Sequence, residues 1–240
     1  MRHIEQLVIL SCAITAMFLS PTAAGAMQGG GSGRMVNPTT AEVGIAPDVS
    51  VYGASVGFGR RWETFRVSVV IPYYVVENSD SENGLGDVRV LGEWDIVPPA
   101  QQRLSLIGSL LWKVPTADED KGLGTGESDV GAFAEFGYTV GPNKPFFSFG
   151  YVRKGDTPTV DYRDTWLYSL GVSHYVGAEE LYASFDVRQS VLPGFDDTQL
   201  LSAGWLHNLS TRQTLRLDGS IGLNSASPDT LINIEFMTWF

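Results

Sequence analysis

Asp87-Val88-Arg89-Val90-Leu91-Gly92-Glu93-Trp94-Asp95 is the stretch whose reading decides the fold. Successive side chains of an extended strand point to opposite faces, so Val88, Val90 and Trp94 fall on one side and Asp87, Arg89, Glu93 and Asp95 on the other. One face suits lipid and the other suits water.

The same alternation recurs at Arg66 to Val75, Leu104 to Val114, Asp129 to Val140, Pro145 to Val152, Trp166 to Val176, Leu181 to Arg188, Gln199 to His207, Thr214 to Gly222 and Leu231 to Phe240, and in the glycine-rich Tyr52 to Phe58. Each segment is about ten residues, the length a tilted strand needs to cross a bilayer. Short connections (Arg60 to Glu63, Val97 to Gln102, Gly141 to Lys144, Val176 to Glu180, Asn208 to Gln213) alternate with long ones (Glu77 to Gly86, Pro115 to Ser128, Arg153 to Asp164, Gln189 to Asp197, Asn224 to Asp229). The pattern predicts an all-β, antiparallel up-and-down transmembrane barrel. With the C-terminus at the short-turn side, the Tyr52 strand enters from the long-loop side, and an even count then requires a further strand, for which Asn37 to Ala46 is the candidate. The expected total is about 12 strands. No stretch after the first residues repeats apolar positions at helical spacing.

The N-terminus reads as a signal peptide over residues 1–26: basic Arg2, the apolar run Leu7 to Leu19, and Ala24-Gly25-Ala26 before a cleavage point. Residues 27–36 then form a flexible lead-in and 37–240 the barrel. The only cysteine, Cys12, lies inside the apolar run, so the mature chain has no thiol and no disulfide. A net charge of -11 and a pI near 4.6, with no basic cluster, argue against nucleic acid as a partner. The expected partners are outer-membrane lipid, the barrel-assembly machinery and a small-molecule solute, the expected state a monomer, and the expected location the outer membrane of a Gram-negative cell. In the last strand Ile232, Ile234, Phe236 and the terminal Phe240 share one face, and Phe236 and Phe240 serve as an assembly signal. Trp62, Tyr138, Tyr175, Trp205 and Trp239 fall near short-turn ends of strands and Tyr73, Tyr74, Tyr151, Trp166 and Tyr168 near long-loop ends, as aromatics do at the two membrane interfaces.

Gly84-Leu85-Gly86-Asp87, Lys113-Val114-Pro115-Thr116, Gly122-Leu123-Gly124-Thr125-Gly126 with Asp129, and Phe149-Gly150-Tyr151 with Gly155-Asp156 together resemble the outer-membrane barrels grouped as meta-pathway phenol-degradation proteins. The match covers Gly84 to Asp156, and the acidic Ala117-Asp118-Glu119-Asp120 departs from the family's glycine at that point. The resemblance implies a transporter-like role for small, including aromatic, compounds.

Alternation places Arg66, Arg89, Glu93, Lys113, Glu135, Asp186, Arg188, Arg216, Asp218 and Glu235 on the inward face, as a lumen lining of both signs. Ionisable groups at membrane depth must face water or one another, so they mark a wet channel or a plug of ion pairs. About twelve strands lie between barrels filled by side chains and barrels with open pores, which predicts a narrow lumen. No catalytic residue, metal site or cofactor is expected. Ser173 and His174 point to opposite faces, His207 has no adjacent serine, Gly122 to Gly126 lacks the lysine and helix of a phosphate loop, and Asp118, Glu119, Asp120 and Glu127 read as a solvated loop more readily than as a calcium site. The leading expectation is an outer-membrane, porin-like channel for a small solute. An outer-membrane lipid hydrolase and a structural barrel holding a partner are the alternatives.

Overall fold

The structure, a computed structural model, describes residues 49–77, 81–98, 103–155 and 162–240. The signal peptide, the lead-in and the candidate strand Asn37 to Ala46 lie outside the described residues. The strands are β1 (Ser50–Arg61), β2 (Phe65–Glu77), β3 (Ser81–Leu85), β4 (Val88–Val97), β5 (Leu104–Val114), β6 (Asp129–Tyr138), β7 (Asn143–Arg153), β8 (Thr165–Val176), β9 (Glu179–Arg188), β10 (Thr198–Ser210), β11 (Gln213–Gly222) and β12 (Thr230–Trp239). A single 3₁₀ turn, Glu119–Lys121, interrupts the β5–β6 connection.

The sheet has twelve strands and closes on itself. Sequential neighbours are antiparallel, except that β3 and β4 share β2: Tyr73–Glu77 of β2 pair with β3, and Phe65–Val70 pair with β4. The barrel wall therefore has eleven strands, and β3 extends it at one end. β3 lies inside the stretch expected to be a long loop, Glu77 to Gly86. It forms because the chain leaves β2 and folds straight back along it, breaking only at Gly86-Asp87 before continuing as β4.

Closure runs through β1 and β12, which pair in parallel from Ser50↔Thr230 to Gly59↔Trp239. β1 thus has β12 on one edge and β2 on the other. The even count is met in number, but by β3, and the seam closes without a strand between β1 and β12. All long connections lie at one end, here the long-loop end, where β1 begins. β12 finishes at the short-turn end.

The strands alternate as their sequences require. Along β6 the odd positions Asp129, Gly131, Phe133 and Glu135 are buried and Val130 and Phe136 are exposed. Along β8, Leu170, exposed to 64%, stands between Tyr168 and Val172 on the outside while Ser169 and Ser173 point in. From β5 to β9 the outer surface is an unbroken field of Leu, Val, Phe, Tyr and Trp, much larger than the scattered exposed apolar residues normal to a protein in water. The inner surface holds the charges.

Candidate functional site

The barrel interior is the candidate site. All ten expected lining residues point inward: Arg66, Arg89, Glu93, Lys113, Glu135, Arg188, Arg216 and Asp218 are buried, Asp186 meets inward Ser184, and Glu235 lines an interior cavity. Burial is deep, with Arg89, Lys113 and Glu135 each at 1% exposure. Ions taken this far from bulk water persist when each meets an opposite charge or a hydrogen-bonding group.

At the short-turn end Arg66 bridges Glu93 at 3.3 Å and Asp95 at 3.1 Å, because β2 and β4 pair in a register that sets Arg66 opposite Glu93. Arg216 lies opposite Glu235 in the β11–β12 pair and reaches it at 3.6 Å. Asp218 accepts a hydrogen bond from the Tyr182 hydroxyl. A cavity of about 80 Å³ opens among these groups, lined by Arg61, Arg66, Arg89, Arg216, Glu93, Glu235, Asn208 and Thr214 with Met237 and Trp239. The Arg61 guanidinium stacks over the Trp239 ring at 4.6 Å. Also toward the short-turn end, Lys144 pairs with Glu135 at 2.9 Å, both buried.

At mid-depth the interior is not uniformly polar. Val70, Leu91, Leu111, Phe133, Val152, Leu167, Met237 and Trp239 form an apolar cluster inside the barrel. Beside it Asp186 accepts hydrogen bonds from Ser169 and Ser202, each at 2.5 Å, and from Ser184 at 3.1 Å, and Ser202 meets Ser220 at 2.8 Å.

The long-loop end carries a second ionic knot. Lys113 Nζ lies 3.2 Å from both Asp87 and Asp129 and donates to Thr125 Oγ1 at 2.8 Å. Lys154 Nζ reaches Asp129 at 2.5 Å. Desolvation on burial, then the nearby Arg188 guanidinium, lower the Lys154 pKa to about 8 against the pull of Asp129. Asp87 Oδ1 accepts the backbone N–H groups of Thr116 and Ala117, each at 2.8 Å, and Thr116 Oγ1 accepts that of Val88 at 2.9 Å. Asp87, Lys113, Thr116, Thr125, Asp129 and Gly155, drawn from separate quoted motifs, meet at this knot.

Leu123 is fully buried against Val51, Tyr74, Val76, Leu200 and Leu231. A Cβ on Gly84 would stand 2.7 Å from Leu123 Cδ1, so glycine there leaves room for the Leu123 side chain in its present position. Gly122 and Gly126 adopt φ of 67° and 72°, as expected for a turn.

Several residues depart from expectation. Tyr74, Tyr175 and Trp239 point inward, Tyr74 into the mouth cluster and Trp239 into the short-turn cavity, so they belong to no outer aromatic band. Trp62 and Tyr138 at one end and Tyr151, Trp166 and Tyr168 at the other do face outward. Trp205 also faces outward and donates to Glu179, which His207 Nδ1 meets at 2.6 Å. Phe236 lies on the face of β12 opposite Met237 and is buried, while Phe240 follows the strand and is exposed. Lys144, Lys154, Tyr182 and Leu123 were not foreseen. Lys144 shares parity with inward Phe146 one step into β7, and that signal was available; Leu123 and Lys154 sit in connections, where no periodicity operates.

His174 Nδ1 meets Asn143 Oδ1 at 2.8 Å. Its outward neighbours on β8 are Val172 and Val176, and those of His207 on β10 are Trp205 and Leu209. Among the described residues no cluster of three or more His, Cys, Asp or Glu could hold a metal ion.

These features define a closed β-barrel turned inside out, with apolar residues outside and ion pairs inside. No known family matches the chain, and no curated protein matches it.

Proposed function

We propose that this protein spans the outer membrane of a Gram-negative cell and gives a small solute passage along its charged interior, without covalent chemistry. One observation carries the reading: ionised groups are buried in the barrel while Leu, Val and aromatic side chains face out from β5 to β9. Lipid supplies the partner that this outer surface lacks in water, and exposed aromatics toward both strand ends suit the two interfaces. The mixed-sign interior favours a small polar or amphipathic solute. The histidines support no hydrolase: on the outer surface each is oriented by an Asn or Glu, but apolar or aromatic residues occupy the strand positions where a nucleophile would stand. The resemblance to the phenol-degradation barrels agrees with an aromatic or amphipathic solute.

The test is single-channel recording in planar bilayers, with the Glu93→Gln and Arg89→Gln variants as selectivity probes. Discrete steps whose ion preference moves toward anions in Glu93→Gln and toward cations in Arg89→Gln are expected. Steps whose ion preference is the same in the parent and in both variants would refute passage along these charges and favour the scaffold reading.

A further inference from the structure

The connection between β5 and β6 does not loop out into solvent. It turns inward over the mouth and seats Leu123 in the apolar cluster of Tyr74 and Val76 on β2, Val51 on β1, Leu200 on β10 and Leu231 on β12, which spans several strands beyond β4 around the closed wall. Its near end is fastened by Asp87, which holds the Thr116 and Ala117 amides, and its far end by Lys113, which donates to Thr125. Lys113 is itself held between Asp87 and Asp129. We propose that residues 115–128 form a strap latched across the long-loop mouth, closing the interior in this structure and opening it when the latch lets go.

Three features favour a latch over a permanent plug. The apolar anchor is one fully buried leucine with Ala117 partly buried against the same cluster, a small contact for a segment of this length. The fastening is made of charge pairs and hydrogen bonds at the long-loop ends of β4, β5 and β6, buried while the strap is closed, so opening exchanges them for water entering from the mouth. The strap contains Gly122 and Gly126, both at positive φ, and its outer side from Glu119 to Gly122 is exposed. A closing strap also accounts for charge and apolar bulk converging at one end.

The strap rests on the lumen being a passage, but its test need not. In full-length protein carrying Cys12→Ser, a reporter Ser220→Cys is placed beneath the strap, on the inward face of β11 where Ser220 pairs with Leu231. A second reporter, Thr214→Cys, is placed in the short-turn cavity. The folded barrel in detergent is treated with a charged thiol reagent. The Ser220→Cys reporter should react slowly in the parent and at least tenfold faster when Leu123→Ser or Lys113→Met is added, while the Thr214→Cys rate stays unchanged. Leu123→Ser alters only a connection, so it keeps the test open if Lys113→Met does not fold. Fast reaction in the parent, or equal rates with and without Leu123→Ser, would overturn the strap. If the thiol result holds and bilayer recordings are silent for strap-released variants too, passage fails and the strap stands.

Discussion

Leu170→Arg separates a lipid-facing barrel from one that stands in water. Leu170 lies midway along β8 with its side chain out, between Tyr168 and Val172 on its own strand and opposite Phe147 on β7 and Phe185 on β9. In water, a substitution at a position this exposed should change stability by no more than about 0.5 kcal/mol. At the midplane of a bilayer an outward arginine costs about 2–4 kcal/mol, falling to roughly 0–1 near the interface. Val176, the last residue of β8 and also outward, supplies the shallow comparison. We expect reversible denaturant unfolding from phospholipid vesicles to show Leu170→Arg losing about 2–4 kcal/mol and Val176→Arg less than about 1. In detergent micelles, which deform around a charge, the difference should shrink. Equal, near-zero costs at both positions in vesicles would refute a bilayer around this surface, whatever the fold.

Glu135→Leu removes the carboxylate that faces the buried Lys144 ammonium at 2.9 Å and should cost about 3–5 kcal/mol, whereas adding Lys144→Met should restore most of the loss, since a matched apolar pair is near neutral; a double-mutant cycle by chemical unfolding checks this. Because the Lys154 pKa is lowered from 10.5 to about 8, the unfolded chain binds the extra proton between those values, so stability should rise with pH across that window. The rise is roughly 3 kcal/mol at 1.36 kcal/mol per unit, and unfolding at pH 7.5 and 10.5 with Lys154→Met as the flat comparison measures it. Gly59→Val should prevent closure, because its Cβ would meet the Trp239 ring at 2.6 Å and the Val67 carbonyl at 2.8 Å, while Gly219→Val, with no neighbour within 4 Å, should fold. The heat-dependent shift in gel mobility typical of closed barrels reads both.

Alternation made most of the fold legible, since a period of two needs only one side to be apolar, and β4 displays it without exception from Val88 to Ile96. It was less informative about what fills the interior. Leu91, Leu111 and Phe133 point inward among charges, and Ser109-Leu110-Leu111-Trp112 is apolar on both faces through Leu110 to Trp112, so parity assigns a side without saying what meets there. Each ion pair depends on register between strands: Arg66 with Glu93, and Arg216 with Glu235, follow from pairings that no single strand encodes. The mouth was harder still. Asp87, Lys113, Thr125 and Asp129 come from separate parts of the chain and meet only because β4, β5 and β6 are adjacent.

The parity argument failed to foresee the seam for a physical reason that the sequence did display. An antiparallel wall of eleven strands cannot close antiparallel, because its first and last strands run the same way. Parallel pairs slant their hydrogen bonds and bond slightly less well per residue, so such a seam benefits from packing across it. β1 supplies that through its glycines. Gly57 stands beside Met237 and Gly59 beside Trp239, and a Cβ at either would lie within 2.7 Å of the facing side chain. The bare glycine backbone lets Met237 and Trp239 lie over β1, where they help line the short-turn cavity. The glycine content that makes β1 look like a poor strand is therefore what lets it serve as the closing one, and cavity and closure depend on the same two side chains.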